Sequence, residues 1–281
     1  MPANPLRVER YGSAAQFLSD VGPWLLASGA QNSLLLSVVY LLAGDDHPFQ
    51  EPFYLAAIKD ADRIIGCAVR PPPDQLDLTA LPAGGASLLI ESVAALYPEL
   101  HIVAGPPESA LEFAGAWVRE RGGHWRIRHH WTLLALQTVI PPPPVDGKLR
   151  LAQENDLATV REWARGYAQE TNSHVDVTAF FERRLSRRSL HIWDDRGPKC
   201  MVAEANRTPN SVSISGVYTP GAFRKRGYAS NAVAAATQHA LDAGCKFCAL
   251  VADREMATPI RIYRSVGYEP LRDHLLIDLA R

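Results

Sequence analysis

The chain has 281 residues, more than one compact domain usually holds, so one large or two medium domains are expected. Apolar residues make up 47% and charged residues 21% of the sequence, an ordinary balance for a globular protein. The formal net charge of -1 argues against a nucleic-acid partner, because nucleic-acid-binding proteins usually carry a concentrated basic surplus.

The N-terminal half shows no sign of export or membrane insertion. Its most apolar stretch, residues 33–43, is too short for a membrane span and lies too far from the start for a signal peptide. The first five residues lack the basic region that opens a signal peptide. Four cysteines are too few for a disulfide scaffold of this size. The sequence therefore predicts a cytoplasmic protein with no membrane partner.

Four consecutive prolines, Pro141–Pro144, form the clearest boundary in the chain. Proline has no backbone N–H and cannot continue a helix or a sheet ladder, so this run is typical of a stiff, extended spacer. We therefore predict an N-terminal domain over residues 1–140, a linker over 141–148 and a second domain over 149–281.

Strands and helices alternate in the second half. The predicted elements are a strand at 148–152, a helix at 156–170 with Asp156 as its N-cap, a helix at 177–187, strands at 190–193, 199–207 and 211–219, a helix at 226–243, a strand at 246–251, a helix at 258–266 and a strand at 274–279. Hairpins come first and crossovers later, which predicts an α/β fold with a mixed sheet.

The turn after the strand ending at Thr219 is the most informative stretch. It carries three consecutive cations, Arg224–Arg226, followed by Gly227 and an alanine-rich helix. The first N–H groups of a helix have no internal partner and point at whatever precedes it. Glycine lets the backbone approach a ligand closely. A strand, a basic turn and a helix start in this order predict a phosphate-binding site.

The pattern Arg224-x-x-Gly227-x-Ala229 resembles the pyrophosphate loop of the GNAT superfamily of N-acyltransferases. Further on, a strand ending in Asp253 and a helix with Ile262-Tyr263-x-x-x-Gly267-Tyr268 resemble the later GNAT motif. Both motifs have the order and spacing of the family, so the sequence is identified as a member of the tandem, two-domain bacterial type. The resemblance implies two GNAT-like domains, each a mixed, largely antiparallel sheet flanked by helices.

The two halves also resemble each other. Residues 54–73 and 190–209 both show a strand, an Asp-containing turn, a strand and an Arg-Pro-type turn, which predicts a duplicated fold. Where the second half has its basic turn, the first has residues 81–86 with no Arg or Lys. The N-terminal copy is therefore predicted to be degenerate and to lack the cofactor site.

The resemblance implies acetyl-CoA as co-substrate. Backbone groups at the end of the strand would bind the pantetheine, and the turn and first helical residues would bind the pyrophosphate. The cofactor-binding residues implied in this way are Val217, Tyr218, Thr219, Arg224, Lys225, Arg226, Gly227, Tyr228, Ala229 and Ser230.

The resemblance also implies that Tyr263 protonates the departing CoA thiolate, a sensible role because a thiolate leaves more readily when a phenol donates a proton. Some GNAT members use a strand glutamate as general base. The matching positions here are serines, which makes Glu204 on the preceding strand the substitute candidate. The alternatives for Glu204 are an exposed strand carboxylate or an ion-pair partner of Arg207. The Asn-Pro that often follows the Asp253 position in the family is replaced by Met256-Ala257.

The acceptor is expected to bind opposite the cofactor, over the first two helices of the second domain. Tyr167 and Glu170 are the candidate substrate-binding residues, with Asn172, His174 and Asp176 nearby, and a solvated loop is the alternative interpretation. The pair Cys245-x-x-Cys248 lies in a predicted buried strand without a second Cys/His pair at metal spacing, so no metal site is predicted.

The leading hypothesis is an acetyl-CoA-dependent N-acetyltransferase acting on a primary amine of a small molecule or peptide, by direct attack on the thioester. The alternatives are a non-catalytic acyl-CoA-binding or sensing protein, and a tandem-GNAT acyltransferase that uses a different acyl donor. Turnover that depends on Tyr263 would discriminate the first two, and comparing donors of different acyl length would reveal the third.

Overall fold

The computed structural model describes residues 6–27, 29–44, 47, 49, 51–73, 75–171 and 176–281. The first five residues, and the candidates Asn172 and His174, lie outside this part of the chain. Within it, no helix combines the length and the apolar character that crossing a membrane requires.

The chain forms two compact units. The first comprises the described residues up to Leu133 together with Asp253–Glu255 and Leu271–Arg281, and the second comprises Leu134–Ala252 and Met256–Pro270. Each unit thus includes a short piece from the other half of the sequence. The predicted boundary at the proline run divides the sequence into two continuous segments, whereas these units are discontinuous. The predicted boundary therefore stays a prediction.

The first half of the chain contains six strands and four helices in its described part. These are β1 (Arg7–Arg10), α1 (Ala14–Ala27), α2 (Ser33–Leu42), β2 (Tyr54–Asp60), β3 (Arg63–Arg70), β4 (Leu76–Leu78), α3 (Gly85–Ala94), β5 (Ile102–Gly105), α4 (Pro107–Arg121) and β6 (His124–Leu136). β1 to β4 pair antiparallel in sequence order, and β4 is parallel to β5.

The second half repeats this order. Its elements are β7 (Lys148–Leu151), α5 (Leu157–Thr171), α6 (Val177–Ser186), β8 (Leu190–Asp194), β9 (Pro198–Arg207), β10 (Ser211–Tyr218), α7 (Tyr228–Asp242), β11 (Phe247–Asp253), α8 (Ala257–Val266) and β12 (Glu269–Ala280). β7 to β10 pair antiparallel and β10 is parallel to β11. The matching order confirms the predicted mixed α/β fold with two similar halves.

The last strands of the two halves, β6 and β12, do not keep to the unit formed by the rest of their half. In the first unit, β12 pairs antiparallel with β5, with Leu275 opposite Gly105. In the second unit, the end of β6 from Leu134 onward lies next to β11. The predicted second domain, residues 149–281, includes β12, because the place of a strand in a sheet cannot be read from the composition of that strand alone.

Each unit buries apolar side chains on both faces of its sheet. In β9 of the second unit, Cys200 and Val202 pack on the side of α7, whereas Met201 and Ala203 pack on the side of α5 and α6. The alternation follows from the period of two in a strand. Cys245 and Cys248 are buried free thiols, as expected for a buried strand.

The start of α5 differs from the prediction. Asp156 is not the N-cap: it lies in a short 3₁₀ turn, where it forms a capping box with Gln153 and accepts the Gln153 N–H at 2.8 Å. Arg150 also donates to its carboxylate at 2.7 Å. Asp156 has a side chain suited to capping, but the N-cap is Gln153, three residues earlier than predicted, because a 3₁₀ turn precedes α5.

Candidate active site

The parallel strands β10 and β11 separate in the middle of the second unit. Their ladder covers only Ser211–Ser213 opposite Phe247–Ala249, although β10 continues to Tyr218. A register shift against β9 between Ser215 and Tyr218 bends the strand away. Gly216 lies at this shift with φ of 58°, and a Cβ atom there would lie 2.5 Å from the Phe181 ring. The backbone at the end of β10 is therefore free of a parallel partner.

The basic turn that follows β10 has a left-handed backbone at two positions. Lys225 has φ of 60°, and Gly227, the residue before α7, has φ of 83° and ψ of -5°. Within the described part of the chain, no side chain caps the start of α7. Asn231 donates its backbone N–H to the Gly227 carbonyl at 3.0 Å, closing the first helical turn. The backbone N–H groups of the residues before Asn231 are left for an external acceptor such as a phosphate.

The proline segment lies against this turn. A cavity of about 340 Å³ is lined by Pro141, Pro142, Pro143, Val145, Arg226, Gly227, Ser230, Asn231 and Ser265. The Asn231 side-chain amide donates to the Pro143 carbonyl at 3.0 Å, and Trp193 Nε1 donates to the Asp146 carbonyl at 2.9 Å. The segment predicted as a spacer is thus also a wall beside the turn. The sequence carried no signal for this contact.

Arg224 has partners within the protein. Its Nε donates to the Thr219 carbonyl at 2.8 Å, and its Nη2 donates to Glu170 Oε2 at 2.7 Å. The guanidinium also lies over the Tyr218 ring, 5.8 Å from its centroid. Arg224 therefore ties the turn to the end of α5, and the Glu170 carboxylate is neutralised by it. The roles predicted for the two side chains, Arg224 in the cofactor-binding turn and Glu170 in acceptor binding, stay predictions.

Tyr263 lies on α8, partly buried against the apolar core of the second unit. Burial raises the pKa of its phenol well above the usual range, and the nearby Tyr167 and Cys200 raise the pKa further. A phenol in this state stays protonated at neutral pH and can act as a donor. Tyr167 in turn packs edge-on against Tyr218, with centroids 6.5 Å apart. The structure therefore brings the predicted acid and one predicted substrate residue to the free end of β10.

Two residues at this place were not singled out from the sequence for their side chains. Cys200 is fully buried on β9, and burial raises the pKa of its thiol to about 12. The Thr219 hydroxyl is buried beside this thiol and makes no hydrogen bond of ordinary geometry to a described residue. An unsatisfied buried hydroxyl at the strand end is suited to a polar group of a bound ligand.

Glu204 does not lie with Tyr263. It is buried opposite Ile214, at the end of β9 away from Tyr218 and Met201. Burial alone would raise the pKa of its carboxyl, but hydrogen bonds from His191 and Arg207 outweigh it and lower the pKa to about 2. A carboxylate so well stabilised is a weak base. The ion pair with Arg207 agrees with one of the two alternatives open for Glu204 in the sequence, whereas the partners His191 and His239 were not predicted.

The remaining predicted cofactor residues lie together around the turn. Tyr228 is buried and donates its phenol to Asp195 at 2.6 Å, so it can offer a ligand only its backbone. Lys225 and Arg226 are exposed, and Arg226 lines the cavity. Val217 packs partly against the core, and Ala229 and Ser230 form the first turn of α7.

The second unit thus combines a mixed sheet that has one separated parallel pair with a helix that starts after a basic turn. Residues 157–268 match the acetyltransferase (GNAT) family, and this part of the chain belongs to that family. Family members are acyltransferases that use acyl-CoA and act on amine acceptors. No curated protein sequence matches the chain.

Solved structures resemble the chain over nearly its whole length. A Drosophila protein shares 11% identity over 97% of this chain and 98% of its own, with a TM-score of 0.69. A GNAT-family acetyltransferase from Colwellia psychrerythraea shares 11% identity over 97% of this chain and 98% of its own, with a TM-score of 0.56. A tandem GNAT protein from the clavulanic acid biosynthesis pathway shares 14% identity over 98% of each chain, with a TM-score of 0.53. At these identities the likeness shows the fold and agrees with two GNAT-like domains.

Proposed function

We propose that the protein is an acetyl-CoA-dependent N-acetyltransferase in which the second domain, predicted at residues 149–281, carries the reaction. The observation that carries this proposal is the separation of β10 from β11 directly before the basic turn and the uncapped start of α7. In the first half, the corresponding copy acts as a degenerate scaffold. A cytoplasmic location remains a prediction of the sequence.

The residues present fit acetyl-CoA. Backbone groups of Val217, Tyr218 and Thr219 would hold the pantetheine, because β10 has no parallel partner there. The backbone N–H groups from Lys225 to Ser230 would hold the pyrophosphate, with the exposed side chains of Lys225 and Arg226 adding positive charge. When bound, acetyl-CoA supplies an activated acetyl thioester.

Tyr263 is the proposed acid. A tyrosine phenol is protonated at neutral pH, and burial holds it in that form by raising its pKa. It can therefore donate a hydrogen bond, and then its proton, to a sulfur on which negative charge develops. The neutral amine nitrogen forms the new bond to the carbonyl carbon as the bond to sulfur breaks, and the amine releases its proton to water. Glu204 is left out of this scheme because its carboxylate is held by His191, Arg207 and His239.

The acceptor would enter beside α5 and α6. Tyr167 packs edge-on against Phe181, with centroids 5.6 Å apart, and Phe180 packs against Phe181 at 5.2 Å. Phe181 is fully buried, so the partly buried rings of Tyr167 and Phe180 are the ones an acceptor could contact. Aromatic side chains at such a place favour a primary amine on an apolar or aromatic body. Glu170 would contact the acceptor only together with Arg224, as an ion pair at the rim.

The proposal is tested by following CoA release from acetyl-CoA across a panel of primary amines. We expect turnover with at least one amine, and a loss of about a hundredfold in kcat for Tyr263→Phe, the lower range for removing a general acid. Tyr268→Phe is the matched control, because the Tyr268 hydroxyl bonds Thr237 at 2.7 Å within the core. Equal kcat in wild type and Tyr263→Phe would remove Tyr263 from the mechanism.

A non-catalytic acyl-CoA-binding protein is the second candidate. It is favoured by the state of the two carboxylates predicted for the chemistry, since both Glu204 and Glu170 are engaged by arginines. In this case acetyl-CoA would stabilise the protein without turnover with any amine. A preference for a longer acyl donor is the third candidate, which a comparison of acetyl-, propionyl- and longer acyl-CoA in the same assay would reveal.

A further inference from the structure

We propose that His191, Glu204 and His239 form a binding site for a divalent transition metal such as Zn²⁺. The three side chains come from β8, β9 and α7, and their ligand atoms all lie within 4.8 Å of one another. Glu204 is 13 positions from His191 and 35 positions from His239, so the three residues do not form a short sequence motif. The site is distinct from the proposed acyl-transfer site and does not depend on it.

The distances suit a tetrahedral ion. His191 Nε2 lies 3.1 Å and His239 Nδ1 lies 3.3 Å from Glu204 Oε1. Zn²⁺ binds nitrogen and carboxylate ligands at about 2.0–2.2 Å, which places neighbouring ligand atoms of a tetrahedron roughly 3.3–3.6 Å apart. The two imidazole nitrogens lie within 4.8 Å of each other, so a rotation of the exposed His239 side chain toward His191 would bring all three ligand atoms to these separations. Two histidines and one glutamate are a ligand set that Zn²⁺ uses with a fourth position open to water.

The surroundings orient the ligands. Arg207 donates to Glu204 Oε2 at 2.8 Å, which directs Oε1 toward the two imidazoles, a contact typical of the shell around metal ligands. Its charge opposes a cation, but its side chain is 49% exposed, so solvent screens that charge. The His191 and Glu204 side chains are 6% and 9% exposed, whereas His239 is 63% exposed. The exposed histidine gives the ion an entry path and leaves room for water as the fourth ligand.

The location predicts what the metal would do. His239 lies in the last turns of α7, whereas the proposed pyrophosphate site lies at its first turn. An ion bound to all three residues would cross-link the end of α7 to β8 and β9. The metal therefore stabilises the position of α7 against the sheet and leaves the basic turn free.

The test uses the full chain after treatment with a chelator and removal of that chelator. Zn²⁺ affinity is measured by competition with a chromophoric chelator, and Co²⁺ is added separately to read visible absorption. We expect one equivalent of Zn²⁺, intense four-coordinate Co²⁺ bands, and a rise in Tm of a few degrees with Zn²⁺. His239→Gln lowers the affinity at least about a hundredfold, since losing even an outer partner of a ligand costs about 10- to 100-fold.

His124→Gln is the matched control, because His124 is exposed and lies outside the cluster. It should bind Zn²⁺ as the wild type does. Glu204→Gln, which keeps the shape of the side chain, provides a second variant should His239→Gln change the fold. Wild-type affinity no higher than that of His239→Gln, or an equal loss in His124→Gln, would overturn the proposal and leave the cluster as a hydrogen-bonded network.

Discussion

Gly84 and Gly227 occupy the same position in the two halves of the chain. Each is the residue directly before the helix that follows the fourth strand of its half, α3 or α7. The φ and ψ angles are 77° and -5° at Gly84, and 83° and -5° at Gly227. Neither helix start has a side-chain cap. The backbone that could hold a phosphate is therefore present twice, and its left-handed glycine belongs to the fold.

The two regions differ in everything around that backbone. Leu81-Pro82-Ala83 precedes Gly84, whereas Arg224-Lys225-Arg226 precedes Gly227. A Cβ atom at Gly84 would meet nothing within 4 Å, whereas at Gly227 it would lie 2.8 Å from Val145. β4 ends at Leu78, directly after its ladder with β5, so it offers no free strand end comparable to that of β10. The second region therefore differs from the first in its three cations, in the proline segment that lies against it and in the free end of β10. The proposed site is built from these three features.

The largest expected effect comes from placing an anion at one of these glycines. Gly227→Asp should abolish the rise in Tm that saturating acetyl-CoA gives the wild type, since a carboxylate would occupy the place of the pyrophosphate. Ligand at about a hundred times its Kd stabilises the folded state by about 2.7 kcal/mol. The measurement is the change in Tm on adding acetyl-CoA, for each variant by itself.

Gly84→Asp provides the control, because it imposes the same left-handed strain in open space. It should keep the full acetyl-CoA shift. Arg226→Glu, at an exposed cavity residue, should weaken the shift if Gly227→Asp does not fold. A shift lost equally in Gly84→Asp would contradict the assignment of the cofactor to the second half.

The stability of the two units should also respond differently to acid. In the first unit, burial and Arg272 lower the pKa of His274 from 6.5 to about 4. Its neutral form stabilises the fold above pH 6.5, and this stability is lost as the pH falls toward 4, with about 2 kcal/mol lost at pH 5. In the second unit, the hydrogen bond from Arg150 lowers the pKa of Asp156 below 3.8, so its contribution is lost only under stronger acid.

The check is thermal unfolding between pH 7 and 4.5 for wild type and His274→Phe. The phenyl ring can keep the stacking against Trp131, whose ring centroid lies 6.5 Å from that of His274. The variant should lose less stability than the wild type over this range. Identical pH dependence of the two proteins would show that His274 does not control acid sensitivity.

The sequence predicted the element order and the turn because both depend on local patterns. Alternating apolar residues, glycines after helices and the cations before α7 can all be read within a few residues of each other. The roles of Glu204 and Glu170 could not be read in this way. Glu204 bonds His239, 35 positions away, and Glu170 bonds Arg224, 54 positions away, so their partners follow from strand order and helix packing.

The positions of β6 and β12 in the sheets could not be predicted for a related reason. Both strands follow a helix that ends at a glycine, Gly122 or Gly267, and both fit either sheet by composition. The proline run favoured a clean division of the chain, but Pro143 and Val145 are held against the turn of the second unit. A spacer composition describes the stiffness of a segment and does not show what it contacts.

The smallest expected effect concerns helix glycines. Gly166 on α5 faces Tyr218, and a Cβ atom there would overlap the Tyr218 hydroxyl and lie 2.8 Å from Cζ. A Cβ atom built at Gly115 on α4 would approach only the end of the Arg119 side chain, with Nη1 at 3.5 Å, among the described residues. Gly166→Ala should destabilise by about 1 kcal/mol net, because overpacking of roughly 1–3 kcal/mol is partly offset by the better helix propensity of alanine. Gly115→Ala should instead stabilise by about 0.5–1 kcal/mol. Urea unfolding of both variants measures the difference, and a Gly166→Ala protein as stable as Gly115→Ala would show that Tyr218 can move aside, so that its position at the free end of β10 is not fixed by α5.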